Sequence, residues 1–435
     1  MRDLGLLLVF AAFLPFCFWR PHIGLLVWSC LGYLNPHRLT WGFAYSFPFV
    51  AIAAAATMAG LLIGRDRNLR LPITPTTIVW ALFVLWMVIS TQFALNPEAA
   101  SSELSRTVKI QLMVFVTLLI MGSKERLIWL AGVMAFSIGF YGIKGGVFVL
   151  ATGGAYLVWG PQGTFIEGNN EIAFALLIVM PLMYFFFTQA QNKWLKRLLL
   201  FCMLSSGFAI VGSYSRGALL GGLAMMGMLW LKSRHKIALA IPAVVALVLL
   251  VIFMPDAWMD RMGTIQNYEE DASAMGRINA WLFAVNIAND YPFLGGGYGT
   301  FTPELFMQYA PNPLDHHDAH SIFFEVLAEH GYVGLFLFLT MGIMTFFNGN
   351  WVIRKARGRP DLQWAADLAS MAQVALTGYV AGGLFLGLAY FDLPYHLMAL
   401  LVLLKAHVRR ERALAAAAEQ PERHSATFGH AATTG

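Results

Sequence analysis

Charged residues are scarce in this sequence. Only 12% of its 435 residues are Asp, Glu, Lys or Arg, about half the share of an ordinary globular protein, whereas 58% are hydrophobic. A chain of this composition, with a mean hydropathy of +0.63, cannot bury its apolar surface in a soluble core. The composition excludes the disordered, collagenous, disulfide-rich and cytosolic classes and predicts an all-α, polytopic integral membrane protein.

Cysteine is scarce as well, and its placement carries no chemistry. Cys17, Cys30 and Cys202 all lie inside apolar runs, which suggests neither a disulfide framework nor a thiolate metal site. The first apolar run, from Leu4 to Trp19, lacks a small-residue cleavage site and leads into further apolar sequence. We therefore expect a retained anchor rather than a removed signal peptide.

Apolar stretches long enough to cross a bilayer recur along the chain. We predict about 12 transmembrane helices, of which the first comes from residues 1–34. Two short runs in that segment, split at Arg20, form two short spans, one span with a re-entrant piece, or one broken helix. The other candidate windows are 46–64, 77–95, 108–122, 126–148, 172–190, 196–214, 217–232, 237–254, 322–348, 366–390 and 394–408.

Lysine and arginine are distributed unequally between alternate loops. One set of loops carries 19 of them and the other set carries six. The poorer set contains Arg106, Lys109, Lys144, Arg216, Arg261 and Arg277. Because positive charge in short loops favours the cytoplasm, the richer set and the C-terminus are placed inside and the poorer set outside. An even number of spans puts the N-terminus inside, whereas 13 spans put it outside. Topology, and not nucleic-acid binding, thus accounts for the net charge of +5.

One outward segment separates two groups of spans. It is 66 residues long with nine acidic residues, too long for a structureless connection, and we predict a small helical subdomain on the membrane surface. The expected organisation is N-terminal transmembrane helices at 1–254, this periplasmic loop at 255–320, C-terminal transmembrane helices at 321–408 and a cytoplasmic tail at 409–435. We expect the tail to be a short helix with a disordered end.

Two arginines on the outward side are candidates for binding an anion. A charge near the membrane is costly unless it is paired or faces a wet cavity, and Arg216 is such a charge at the end of a span. The alternative is an arginine that snorkels to the interface. Arg277 opens a predicted helix and, taken alone, equally fits an ordinary surface arginine. Together they would hold a phosphate or pyrophosphate through forked hydrogen bonds, each worth roughly 1.5 to 3 kcal/mol.

A histidine-rich segment, Asp315–Ser321, precedes the span that begins near residue 322. Histidine has an ordinary pKa of about 6.5, so it accepts a proton from a hydroxyl nucleophile at neutral pH. Alternatively, His316 and His320 would share one face of a helix and bind a metal with the neighbouring aspartates. In a third interpretation these residues are solvated and Asp318 caps the helix. All three interpretations stay open, and His317 is a possible further member of the site.

Three features are weaker signals. The glycine run Gly295–Gly299 lacks the lysine and the strand context of a phosphate-binding loop and is expected to form a tight turn. Asn169, which lies between two glutamates, either lines a polar cavity or caps a helix. Lys144 is either a third cation for the same anion or a snorkelling lysine at an outward helix end.

The order of these motifs resembles the bacterial O-antigen ligase and polymerase superfamily. The motifs cover roughly residues 160–345 and are Ser215–Gly217, Gly276–Arg277 with Trp281, Asp290–Pro292 with the glycine run, Ala319–Ser321, and Glu329–Gly334. Ser321 stands where the ligase pattern has Asn. The N-terminal part is similar to the branch described as O-glycosylation ligases associated with exosortase systems.

The resemblance implies an all-helical glycosyltransferase of the GT-C type in the bacterial inner membrane, with its site facing the periplasm. It would move a glycan from undecaprenyl pyrophosphate to a sugar hydroxyl of lipid A-core, with inversion and without a metal or other cofactor. Arg216 and Arg277 match the arginines that bind the donor pyrophosphate, and His320 matches the essential histidine.

Two alternatives remain beside the ligase interpretation. An O-antigen polymerase or a protein O-oligosaccharyltransferase would use the same donor with another acceptor. A transporter of lipid-linked glycans would bind the pyrophosphate with the same arginines. The sequence shows neither the intramembrane acidic relay nor the inverted repeat that are common in secondary transporters.

Overall fold

The computed structural model describes residues 1–64, 69–233 and 272–431, together with positions 236, 256, 258 and 263. Within these residues the regular structure is helical and no strand occurs, which confirms the all-α prediction. The helices are α1 (Arg2–Trp19), α2 (Pro21–Leu34), α3 (Phe49–Ile63), α4 (Pro75–Thr91), α5 (Pro97–Ile120), α6 (Lys124–Thr152), α7 (Asn169–Gln189), α8 (Lys193–Val211), α9 (Arg216–Lys232), α10 (Ala272–Asp290), α11 (Pro303–Tyr309), α12 (Ile322–Ala356), α13 (Gln363–Gly382) and α14 (Asp392–Ala431).

Five of the described helices, α1, α6, α7, α8 and α12, are long and apolar enough to cross a membrane. The apolar helices α2, α3 and α4 are shorter. This pattern supports a multi-pass membrane protein, while the count of 12 spans and the GT-C architecture stay predictions. The candidate span 237–254 lies outside the described residues.

The first 34 residues form two helices that meet at Arg20. The carboxylate of Asp3 accepts a hydrogen bond of 3.1 Å from the backbone N–H of Ala44, in the connection between α2 and α3. The start of α1 therefore lies at the same end of the bundle as this connection. If α1, α2 and α3 each cross the membrane, the N-terminus faces outward, as in the alternative with 13 spans.

Small residues allow close approach of the central helices. A Cβ added at Gly146 of α6 would lie 2.2 Å from the backbone oxygen of Ser205 in α8. A Cβ at Gly142 would meet the hydroxyl of Ser206. Without a hydrophobic driving force between helices in lipid, such close van der Waals packing holds a bundle together.

The glycine run does form a turn, and the turn inserts into a break in α12. Gly331 has φ +65° and ψ −171°, a conformation available essentially only to glycine, and it interrupts the helix. The N–H groups of Gly296 and Gly297 donate to the carbonyls of Ala328 and Glu329 at 2.7 and 2.9 Å. The run thus satisfies carbonyl groups that the break leaves without helical partners.

Three predicted boundaries are wrong. α5 begins at Pro97, well before the predicted start at 108, because its polar first half is helical too. α13 ends at Gly382, so residues 383–391 form a connection rather than the end of a span. The last helix continues to Ala431, beyond the short tail helix that was expected.

Candidate functional site

Arg216 is the first residue of α9 and follows a strained turn. The Ser215 hydroxyl caps the helix by accepting a hydrogen bond of 3.2 Å from the N–H of Ala218. Tyr214 has φ +59°, in the left-handed region that a bulky residue rarely adopts, and its hydroxyl donates to the carbonyl of Gly154 at 2.8 Å. Backbone outliers of this kind persist only where the surroundings fix them, and they cluster at functional sites.

Asn169 holds this turn from α7. Its side-chain amide donates a hydrogen bond of 2.8 Å to the carbonyl oxygen of Ser213. Gly168 occupies the cap position of α7, so the interpretation of Asn169 as the helix cap is wrong. Asn169 instead lies beside the turn that leads to Arg216.

Arg277 and His320 form the second part of the site. The guanidinium of Arg277 on α10 donates to the hydroxyl of Ser273 at 3.1 Å. The positive charge of Arg277 interacts electrostatically with the imidazole of His320, in the loop before α12, and with the carboxylate of Glu171, in the first turn of α7. The carboxylate of Asp318 interacts electrostatically with the same two groups. Residues from α7, α10 and the loop before α12 therefore meet here.

Trp281 explains why the arginine and the histidine lie together. It follows Arg277 by one helical turn, so the two side chains lie on one face of α10. The indole N–H donates to the carbonyl of Ala319 at 2.8 Å, and the ring stacks on Phe324 with centroids 5.0 Å apart. These contacts fix the chain on both sides of His320, whose own φ is +43°.

The electrostatics around His320 favour the neutral imidazole. Burial of the ring lowers its pKa below the ordinary value, and the positive charge of Arg277 lowers it further. The carboxylate of Asp318 opposes this effect. A neutral imidazole at pH 7 is the form that accepts a proton from a hydroxyl group.

The connection between α13 and α14 joins the two parts of the site. A Cβ added at Gly387 would lie 3.6 Å from the backbone of His320, and one at Gly217 would lie 3.4 Å from Cβ of Phe385. This connection therefore contacts both the start of α9 and the loop before α12. Its sequence is apolar and glycine-rich, and the glycines are the one signal in the sequence that separates it from a span.

The structure contradicts the metal interpretation of the histidine segment. Residues 315–320 are not helical, so His316 and His320 share no helical face. The imidazole of His316 instead lies 3.1 Å from the carbonyl of Phe301 and packs edge-on against Phe306. Among the residues that the structure describes, no group of three or more His, Cys, Asp or Glu is placed to hold a metal ion.

The capping interpretation is wrong as well. Ser321, not Asp318, occupies the cap position of α12, and its side chain makes no capping bond. The Ser321 hydroxyl is buried and has no hydrogen-bond partner within the described residues. Glu325 lies in the first turn of α12, and its carboxylate accepts a hydrogen bond of 3.2 Å from the N–H of Ala389.

His317 lies beside the site. Its ring packs where a Cβ at Gly276 would lie, 2.4 Å from the nearest ring carbon, so the glycine next to Arg277 leaves room for the imidazole. Its Nε2 is 2.8 Å from a carboxylate oxygen of Asp315. His317 also contributes to lowering the pKa of His320.

Lys144 lies apart from these contacts. It is two turns before the end of α6 and exposed, on the side that also exposes Val147 and Phe148. The adjacent Gly145 and Gly146 are buried. This placement favours the interpretation of Lys144 as a snorkelling lysine.

The fold and the site define a multi-pass membrane protein with an arginine- and histidine-containing site at one end of its helices. Residues 198–339, which carry Arg216, Arg277 and His320, match the family model described as O-antigen ligase, and this match supports the O-antigen ligase superfamily. Residues 1–191 match a model described as a family of unknown function. No curated protein matches the chain.

Proposed function

We propose that the protein is an O-antigen ligase of lipopolysaccharide biosynthesis. It transfers a glycan from undecaprenyl pyrophosphate to a sugar hydroxyl of lipid A-core, at the periplasmic side of the bacterial inner membrane. The observation that carries the proposal is the hydrogen bond from Trp281, one helical turn after Arg277, to the carbonyl of Ala319, which brings the helix of Arg277 to the half-buried His320. Asn169, at the start of α7, holds the turn that leads to Arg216.

The proposed reaction is a single displacement with inversion. The acceptor hydroxyl attacks the anomeric carbon of the donor, and the bond from this carbon to the pyrophosphate oxygen breaks as the new glycosidic bond forms. His320 receives the hydroxyl proton. Undecaprenyl pyrophosphate leaves with the electron pair, and Arg216 and Arg277 stabilise its developing negative charge. His320 activates the weak nucleophile and the two arginines stabilise the leaving group, so both lower the activation free energy of the transfer.

The position of Arg277 also suggests an order of binding. Burial and the charge of Arg277 both lower the pKa of His320, and this charge also opposes protonation of His320 during the reaction. A bound pyrophosphate neutralises Arg277 and removes this opposition. His320 therefore becomes a stronger base once the donor is bound, which favours attack by the acceptor only in the complete complex.

The test is transfer by the purified protein in detergent, with and without lipid A-core, comparing wild type with His320→Ala. His316→Ala is the matched control, because its ring contacts Phe301 and Phe306 outside the site. Product that requires both the acceptor and His320 supports the proposal. Lengthened donor without acceptor indicates a polymerase, and transfer only to a protein indicates an oligosaccharyltransferase. Donor movement across liposomes without any product indicates a transporter.

A chelator tests whether the transfer needs a metal. We expect full activity after treatment with a strong chelator, because two arginines supply the positive charge that a metal would otherwise provide. Loss of activity that zinc or manganese restores would contradict this part of the proposal.

A further inference from the structure

A cavity of about 900 Å³ lies among α2, α3, α5 and the connection between α2 and α3. Arg216, Arg277 and His320 do not line it. It belongs to the N-terminal part of the chain, which matches the family of unknown function. The size suits a substantial ligand, since binding pockets for small molecules range from about 300 to 1,000 Å³.

The cavity is positively charged. Arg38, Arg106 and Lys109 line it, and none of the described lining residues is Asp or Glu. In the described part of the chain, Arg106 alone of the three contacts a carboxylate, that of Glu103 at 3.7 Å, and both of these side chains are 46% exposed. The Nε of Arg38 is buried and has no hydrogen-bond partner among the described residues. Three cations of this kind attract an anion.

The walls change from polar to apolar along the helices. On α5, Ser101 and Ser105 line the cavity near the start of the helix and Met113 lines it further along. The apolar lining also includes Ala54 of α3 and Trp28 of α2. The cavity therefore suits an amphipathic ligand whose anionic head lies near the outward end and whose apolar part extends along the membrane.

One connection links this cavity to the candidate catalytic site. In the segment before α7, Gly163 packs on the guanidinium of Arg38. In the same segment, the centroid of the Phe165 ring lies 3.7 Å from Cζ of the Arg106 guanidinium. The segment ends at Asn169, which holds the turn of Arg216. Six residues span at most roughly 20 Å, so the two sites lie at the same end of the bundle within this reach.

We propose that this cavity binds the anionic head group of the membrane-anchored acceptor, with its phosphate or carboxylate groups on Arg38, Arg106 and Lys109 and its lipid chains along α3 and α5. The inference rests on the proposed transferase function and gives that function its acceptor site. The donor pyrophosphate occupies a different set of cations. Acceptor and donor then approach the reaction from two sides of the segment that precedes α7.

Direct binding tests the cavity without requiring activity. The probes are lipid A, dephosphorylated lipid A and inorganic phosphate, and binding to the full chain in phosphatidylcholine nanodiscs is measured by native mass spectrometry. We expect lipid A to bind about tenfold more weakly to Lys109→Gln and about a hundredfold more weakly to Arg38→Gln/Lys109→Gln, one charge-assisted contact being lost at each step. Dephosphorylated lipid A should bind wild type as weakly as lipid A binds the double variant.

Arg2→Gln is the matched control. Arg2 is an exposed arginine at the same end of the molecule and stacks on Trp41, 4.4 Å from the ring centroid, outside the cavity. Its loss should leave lipid A binding unchanged. Because Lys109 is exposed, Lys109→Gln is expected to fold. Equal binding of lipid A to wild type and to Lys109→Gln would therefore overturn the proposal. Inorganic phosphate that displaces lipid A at equal concentration would indicate a site for a soluble anion and also overturn it.

Transfer kinetics separate this inference from the proposed function. In an active preparation, Lys109→Gln should raise KM for the acceptor about tenfold and leave KM for the donor unchanged. An unchanged acceptor KM counts against the cavity as acceptor site. If wild type transfers nothing at all, the proposed function fails, and the binding of lipid A still decides whether the cavity is an anionic lipid site.

Discussion

The side-chain amide of Asn169 donates a hydrogen bond of 2.8 Å to the carbonyl oxygen of Ser213, three residues before Arg216. Asn169 begins the same turn of α7 that places Glu171 in the field of Arg277. A single amide therefore connects the turn that carries one arginine to the helix that lies beside the other. We infer that this contact helps to set the relative placement of Arg216 and Arg277.

Asn169→Ala tests that dependence. Loss of the bond frees the strained turn before Arg216, so we expect kcat/KM for the donor to fall about tenfold, corresponding to roughly 1.4 kcal/mol, with the acceptor KM unchanged. Asn286→Ala is the control, since its amide makes an equivalent bond of 2.8 Å to the carbonyl of Tyr309 away from the site. Equal donor kinetics in both variants would show that Asn169 has no positioning role.

The two arginines should not tolerate lysine. An ammonium group keeps the charge but cannot make two parallel hydrogen bonds to a pyrophosphate. We expect Arg216→Lys and Arg277→Lys each to lower transfer at least tenfold, whereas Arg197→Lys, an exposed arginine on the opposite side in the predicted topology, retains full activity. Wild-type rates in either of the first two variants would remove that arginine from donor binding.

Hydropathy located most of the helices because burial in lipid acts on each segment separately. The errors fall where contacts between segments decide. The first half of α5 is helical but polar, because Ser101, Ser105 and Lys109 face a cavity. A search for apolar windows does not detect a helix with such a polar face. Residues 383–391 are apolar, so hydropathy assigned most of them to the end of a span, yet they fold against the backbone of His320.

The same limit applies to the site. The order of motifs predicts Arg216, Arg277 and His320 as site residues, and this stays a prediction. Spacing alone could not show that residues 315–320 are irregular, and the metal interpretation depended on a helix there. The cationic cavity was missed because its residues come from separate segments. The signal was present: Arg106 and Lys109 are positive charges on the side of the membrane that the topology prediction leaves poor in them.

The pH dependence of transfer should reveal the neighbours of His320. The proposed reaction requires the neutral imidazole, so the rate should rise with pH through its pKa, which burial and Arg277 place below the ordinary value. Asp318 raises this pKa, and removal of its charge in Asp318→Asn should move the acid limb to lower pH. His317 lowers it, and His317→Gln should move the limb to higher pH. Limbs that stay fixed, or that move in the same direction, would exclude His320 as the titrating base.

The contact between Asp3 and Ala44 predicts an outward N-terminus. We expect a membrane-impermeant maleimide to label Arg2→Cys and Trp41→Cys from outside intact spheroplasts, in a background with the three native cysteines replaced by alanine. Lys193→Cys, at an exposed position on the predicted cytoplasmic side, should react only after permeabilisation. Protection of Arg2→Cys alone would support 12 spans and contradict the alternative with 13.

The break in α12 should not tolerate a side chain. A Cβ at Gly331 would lie 2.5 Å from the carbonyl oxygen of Phe293, and its φ of +65° is strained for any residue with a Cβ. Gly331→Ala should therefore destabilise the protein by about 1 to 3 kcal/mol and lower the midpoint of thermal unfolding in detergent. Gly342 lies in the same helix with no atom within 4 Å of such a Cβ, so Gly342→Ala should be neutral or stabilising by about 1 kcal/mol. The glycine run Gly295–Gly299 is hydrogen-bonded to the carbonyls at the break, so Gly331→Ala, but not Gly342→Ala, should also make this run more sensitive to proteolysis. Equal proteolysis of the two variants would show that the break does not hold the glycine run in place.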